Sequence, residues 1–112
     1  MSRKDSPYLG EFEQLVLLAV LQLGSSARAL DIRRELEEQA NRQTARGALY
    51  ATLERLGGKG LLEWEVEETT PARGGLPRRR FIVTKAGLEA LRTSRLAVSN
   101  LSRGLENILE KP

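Results

Sequence analysis

The sequence predicts a mostly α-helical domain carrying one two-stranded β-hairpin, and three observations predict it. Leu, Ala, Glu and Arg outnumber the β-branched residues, which favours helix over sheet. Apolar residues recur at three- and four-residue spacing along most of the chain, but alternate singly with charged residues just after position 61. With 112 residues the chain suffices for one modest core, so that alternating stretch must share it with the helices.

The first helix is predicted from about Gly10 to Leu23, stopped by Gly24, a residue that readily takes the left-handed conformation of a helix end. Between Leu15 and Leu21 it is apolar all round, so two surfaces must cover it: the domain's own core and, on this reading, a second subunit. Ser25 or Ser26 is then the expected N-cap of a short amphipathic helix, in which Ile32, Leu36 and Ala40 share one stripe. A third helix is expected from the N-cap Thr44, with Leu49, Leu53 and Leu56 inward, ending in "GGKG" with Gly60 as its C-terminal cap.

In "LLEWEVEE" the period changes to two: Leu62, Trp64 and Val66 face inward, and Glu63, Glu65 and Glu67 outward. "RRFIVT" is the partner strand, with Phe81 and Val83 inward and Ile82 outward, which makes the intervening stretch a hairpin loop and not a linker between domains. From the N-cap Thr84 a last helix is expected to run to about Glu110. Its heptads place Leu91, Val98 and Leu105 at a and Ser94, Leu101 and Ile108 at d, a stripe suited to packing between subunits.

Several function classes are excluded or disfavoured at once. The chain has no cysteine and no histidine, which removes thiol nucleophiles, disulfides, Cys/His zinc sites and imidazole acid–base chemistry. Glycine patterns that bind nucleotide phosphates or dinucleotides are absent, so no cofactor is expected. Carboxylates two apart on a strand share a face without converging into a metal cage. The longest apolar run, residues 15–21, is too short to span a bilayer, and the start lacks a signal-peptide pattern; a cytoplasmic protein that is not an enzyme is expected.

The net charge of +3 says little, but its distribution says more. From Thr69 to Leu88 there are five cations, Arg73, Arg78, Arg79, Arg80 and Lys85, and no acid. Three helices followed by a hairpin is the order of a winged helix-turn-helix, whose third helix enters the DNA major groove while the hairpin loop rests on the backbone. With the leucines of the third helix inward, Gln43, Thr44, Gly47, Tyr50, Ala51, Glu54 and Arg55 fall outward and Arg46 lies at the margin. Gln43, Thr44, Arg46, Gly47, Tyr50 and Arg55 are the candidates for the groove and its bordering phosphates. Glu54 is the unfavourable charge there unless it meets a cytosine or pairs with Arg55 or Lys59.

In the loop, Gly74 and Gly75 let the backbone approach phosphate, and Arg73, Arg78 and Arg79 supply forked guanidinium donors. A competing role for Arg78 and Arg80 is cross-strand pairing with Glu67, Glu65 or Glu63. Trp64, at an inward strand position, is expected to be core.

"LGEFEQLVLLAVLQLG", "RGALYATLERLGGKGLL" and "PARGGLPRRRFIVTKAG" together resemble the PadR family of bacterial transcriptional regulators, over nearly the whole chain. Tyr50, Thr52, Leu53, Gly60 and Leu61 match its recognition-helix pattern; Arg73, Gly74, Gly75, Thr84 and Gly87 match its wing and the entry to its last helix. The resemblance implies a homodimeric repressor that binds double-stranded DNA, relieved in some members by small hydrophobic or aromatic effectors bound at or near the dimer interface. Residues 1–84 would form the winged helix-turn-helix and residues 85–112 the dimerisation helix of the family's compact branch, with an interface on Leu91, Val98, Leu101, Leu105 and Ile108 helped by Leu9, Phe12 and Val16. Two departures stand out: "ARALDI" replaces the aromatic start of the second helix, and "GGK" replaces the charged residues before the helix-exit glycine, which implies a frayed end to the recognition helix. A winged helix used only for protein interaction is the alternative; a small hydrolase working with carboxylates alone lacks an evident pair of acids.

Overall fold

The computed structural model describes residues 8–68 and 78–110. Helix α1 spans Glu11–Leu23 with Gly10 at its N-cap, and the Gly10 N–H donates to Glu13 Oε1 at 3.0 Å, satisfying a backbone donor just ahead of the helix. Gly24 follows with the positive φ of +55 that glycine tolerates, but its ψ of −123 is not that of the left-handed helix end expected of it.

The serines after it do not cap the next helix. Gly24–Ser26 form a 3₁₀ turn, and helix α2 spans Ala29–Ala40 with Arg28 at the N-cap. Tertiary contacts win over the local capping preference there. The Ala27 carbonyl accepts from the Phe81 N–H at 2.8 Å, and extended Arg28 reaches Glu67 with two bonds, Nε to Oε1 at 2.6 Å and Nη2 to Oε2 at 2.9 Å. That carboxylate bonding raises the Arg28 pKa above its already high ordinary value. Ile32 and Leu36 are buried as expected, whereas Ala40 lies exposed at the helix end. Asn41 takes the left-handed conformation at φ 50, which asparagine tolerates better than most side chains.

Helix α3 spans Arg46–Gly58, and its N-cap is Ala45, not Thr44. The Thr44 hydroxyl is buried without a hydrogen-bond partner, while its carbonyl accepts from Arg33 Nε at 3.2 Å. Leu49, Leu53 and Leu56 are buried, and Thr52 with them. The helix continues through Gly57, where only glycine fits because the Trp64 ring lies where a side chain would be: a Cβ on Gly57 would come within 2.6 Å of Trp64 Cζ3. Gly60, with φ +76, completes the exit.

Strands β1 (Leu62–Glu67) and β2 (Arg78–Val83) pair antiparallel, with Trp64 opposite Phe81 and Glu65 opposite Arg80. Leu62 and Phe81 enter the core, Trp64 packs edge-on against Phe81 with ring centres 5.9 Å apart, and Val83 and Ile82 are both half-buried. Val66 departs from the alternation expected of it, because the core ends before it: it is 66% exposed.

Helix α4 spans Lys85–Ser102, capped by Thr84 Oγ1, which accepts from the Gly87 N–H and donates to the Gly60 carbonyl. A side chain on Gly87 would strike the Leu61 carbonyl, so α4 leaves the hairpin at a distance only glycine permits. The continuous last helix expected to about Glu110 is interrupted. Gly104, at φ +83, turns the chain into a short helix α5, Glu106–Leu109, which breaks the heptad frame after two of its three repeats. The core unites α1, α2, α3, the hairpin and the first half of α4.

Candidate nucleic-acid interface

Helix α3 presents its exposed side through Gln43 just ahead of it, then Arg46, Gly47, Ala51 and Glu54, with Tyr50 half-buried among them. The inward leucine stripe fixes this face, since rotating the helix would expose Leu49, Leu53 and Leu56. Arg46 lies over the Tyr50 ring with its guanidinium carbon 5.6 Å from the centroid, which orders a long cationic side chain without removing its donors from solvent. No Cβ contact within 4 Å opposes close approach at Gly47.

Beside the start of α3, a polar groove of about 500 Å³ is lined by Leu30, Arg33, Arg34 and Glu37 of α2 and by Gln43, Thr44 and Ala45. Arg34 and Arg46 make no ion pair among the described residues. Arg33 and Arg34 of α2 thus border the start of α3, a contribution absent from the candidate residues read in the sequence. Adjacent arginines off the Ile32–Leu36 stripe, on the helix preceding the recognition helix, were the available signal.

Arg55 is turned away from that use. Its Nε lies 3.3 Å from Glu13 Oε2 and its Nη2 the same distance from the Thr52 hydroxyl, while Lys59 Nζ reaches Glu13 Oε2 at 2.9 Å. Burial by itself would raise the Glu13 pKa, but the Gly10 N–H, Lys59 and Arg55 together outweigh it and hold the carboxyl below its ordinary range. Far from fraying, the C-terminal end of α3 is fastened to α1.

On the hairpin, Arg73, Gly74 and Gly75 lie outside the described residues. Arg80 pairs with Glu65 across the strands, the cross-strand partner expected for it. Arg78 stands opposite Glu67 but makes no ion pair among the described residues, because Glu67 turns to Arg28. Arg79 is exposed but not unpartnered. Its Nη1 lies 2.7 Å from Glu54 Oε1 and its guanidinium 4.7 Å from the centre of the Trp64 ring, so Glu54 is neutralised by the hairpin and not by Arg55 or Lys59.

The residues expected at a subunit interface divide. Val16 and Leu91 are enclosed by the protomer's own core and leave no area for a second chain. Ser94 is also buried, its Oγ accepting from the Leu9 N–H at 2.8 Å. Leu9 and Phe12 are half-buried against the core, with Arg42 over the Phe12 ring. Val98, Leu101, Leu105 and Ile108 stay exposed, Leu101 by 82%, as do Leu96 and Leu109. A second apolar surface, a groove of about 360 Å³ between α1 and α2, is lined by Leu15, Leu18, Ala19 and Leu36 with polar residues at its rim. Among the described residues no helix is long and apolar enough to cross a membrane.

The model of the transcriptional regulator PadR-like family matches residues 17–93. Among solved structures, a PadR-like transcription factor from Bacteroides fragilis is 30% identical, with 87% of this chain and 88% of that one covered and a TM-score of 0.69. A PadR family transcriptional regulator from Eggerthella lenta is 27% identical over 91% of this chain and 88% of its own, with a TM-score of 0.66. A PadR family regulator from Clostridium difficile shares the fold at 17% identity and a TM-score of 0.69, covering 89% of this chain and 99% of its own. A search of curated proteins finds no match.

Proposed function

Because the chain belongs to the PadR-like family of transcriptional regulators, we propose that it is a sequence-specific, double-stranded-DNA-binding repressor that acts in the cytoplasm as a homodimer. The observation that carries the reading is the face of α3: Gln43, Arg46, Gly47 and Tyr50 stand together at its N-terminal half, bordered by Arg33 and Arg34 of α2. A helix offers a major groove polar and small side chains at that half, and cations beside it meet phosphates. Thr44 contributes through the groove it lines. Arg55 acts first as a tie to α1.

In this proposal residues 1–84 read DNA, with Arg73, Gly74, Gly75 and Arg78 of the wing on the backbone, and residues 85–112 join the subunits. The joining surface is made of the exposed Val98 and Leu101 of α4 and the exposed Leu105 and Ile108 beyond its end, helped by the half-buried Leu9 and Phe12. Monomeric soluble domains seldom leave so many large apolar side chains on one short segment uncovered, which supports a second chain as the cover. A small hydrophobic or aromatic effector, whose binding would relieve repression, is assigned in this proposal to the groove between α1 and α2. The protein performs no catalysis in this account.

A fluorescence-anisotropy titration with two labelled duplexes, the DNA upstream of the protein's own gene and a scrambled version, tests the proposal. Tighter binding to the upstream duplex is expected. Failure to bind either duplex, with retention of an acidic protein partner, would favour the interaction-module reading instead.

A further inference from the structure

Glu54 lies one helical turn past Tyr50 and two past Gly47, on the exposed face of α3, where its charge opposes DNA phosphate. Arg79 occupies that carboxylate at 2.7 Å and rests over Trp64. The other arginines of β2 are placed differently: Arg80 meets Glu65 across the hairpin and Arg78 opposes Glu67 on the same outward face, whereas Arg79 reaches α3. Both side chains of the Glu54–Arg79 pair remain about half exposed, 56% and 43%, so the ion pair alone is modest, and the contact with Trp64 adds to the hold on the arginine. The stacking on Trp64 fixes where the guanidinium waits.

We propose that Glu54 is a specificity-determining residue: it suppresses sequence-independent DNA binding by holding Arg79 on Trp64 and away from phosphate. The inference rests on the DNA-binding reading above. Generic affinity comes from cations that displace counterions from phosphates, each contributing about 0.9 to the salt slope. A guanidinium already neutralised by a carboxylate contributes nothing of that kind, so a two-fold symmetric complex forgoes about two such contacts. Base reading by the N-terminal half of α3 does not need Arg79. The restraint therefore lowers generic affinity more than specific affinity, and specificity is the difference between them.

The test is an anisotropy titration of a mixed-sequence duplex across a salt series, with the full chain as wild type, Glu54→Gln, Arg79→Ala and the double variant. Trp64 is the sole tryptophan, so its emission verifies that each variant is folded and reports the departure of Arg79 from its ring. Glu54→Gln should tighten generic binding roughly fivefold per protomer, the effect of about one charge contact at the surface. Its salt slope should steepen by about two for the dimer. In the Arg79→Ala background the same substitution should leave the slope nearly unchanged. An unaltered slope in Glu54→Gln would overturn the proposal. So would equal tightening with and without Arg79, because Glu54 would then act as a repelling charge alone. If the wild type itself binds no duplex in a salt-dependent way, the DNA-binding reading falls and this inference falls with it; if the wild type binds and Glu54→Gln matches it, only this inference falls.

Discussion

Replacing Glu13 by glutamine keeps the shape of the side chain and the acceptor that the Gly10 N–H needs, but removes the charge that holds Lys59 and Arg55. The Glu13 side chain is 10% exposed and its carboxylate accepts from three groups, at 3.0 Å from Gly10, 2.9 Å from Lys59 and 3.3 Å from Arg55. A hydrogen bond to a buried charge contributes about 1.5–3 kcal/mol. Here the two cations are about half exposed, 45% and 51%, and can return to water, so each contact lies nearer the exposed-pair range of about 0.2–1 kcal/mol. Glu13→Gln should therefore cost about 0.4–2 kcal/mol near neutral pH, and Glu13→Ala about one more, since it also removes the acceptor for Gly10. Urea unfolding measures both. The pH dependence supplies the sharper check. The folded pKa lies below the ordinary 4.5, so the charge-dependent stability is complete above that value and is lost as pH falls through the folded pKa. The gap between wild type and Glu13→Gln should be full near neutrality and should close in acid. A gap that persists unchanged in acid, or no gap near neutrality, would refute the assignment of Glu13 as the charged tie between α1 and α3.

Other substitutions probe separate parts of the account. Gly87→Ala should destabilise the fold by about 1–3 kcal/mol in urea unfolding, because its Cβ would strike the Leu61 carbonyl and come within 2.8 Å of Val83 Cγ1. Leu101→Glu should leave the protomer folded, since Leu101 is 82% exposed, yet shift it to monomer in sedimentation; a dimeric variant would remove Leu101 from the interface. Arg34→Ala should weaken binding to all duplexes alike and flatten the salt slope by about two for a dimer, whereas a change confined to one sequence would make Arg34 a base reader.

Elements with strong local periodicity were legible from sequence. The leucine stripe of α3 and the alternation at Leu62 and Trp64 follow from side-chain geometry alone, and each faces the core as expected. What escaped was decided by contacts distant in sequence. Ser25 and Ser26 are good capping residues, but the bond from Phe81 to the Ala27 carbonyl and the reach of Arg28 to Glu67 set the start of α2. Val66 alternates correctly and still lies outside, because alternation gives the face and not the distance to which the core extends. The same limit explains Val16 and Leu91: an apolar stripe must be covered, but its pattern is identical whether the cover is the protomer or a partner. Gly104 is a local helix-exit signal that the heptad pattern does not register. The pairing of Arg79 with Glu54, 25 residues away, had no local signature at all.

The central claim is that the α3 face and the hairpin together form a phosphate-binding surface, and the salt dependence of wild-type affinity tests it most directly. A dimer neutralising about six to eight phosphates predicts log affinity falling against log salt with a slope of about −5 to −7, measured by anisotropy on a duplex that the protein binds. A slope near zero would contradict the claim, and the arginines of α2, α3 and the hairpin would then have to be assigned to a partner other than DNA.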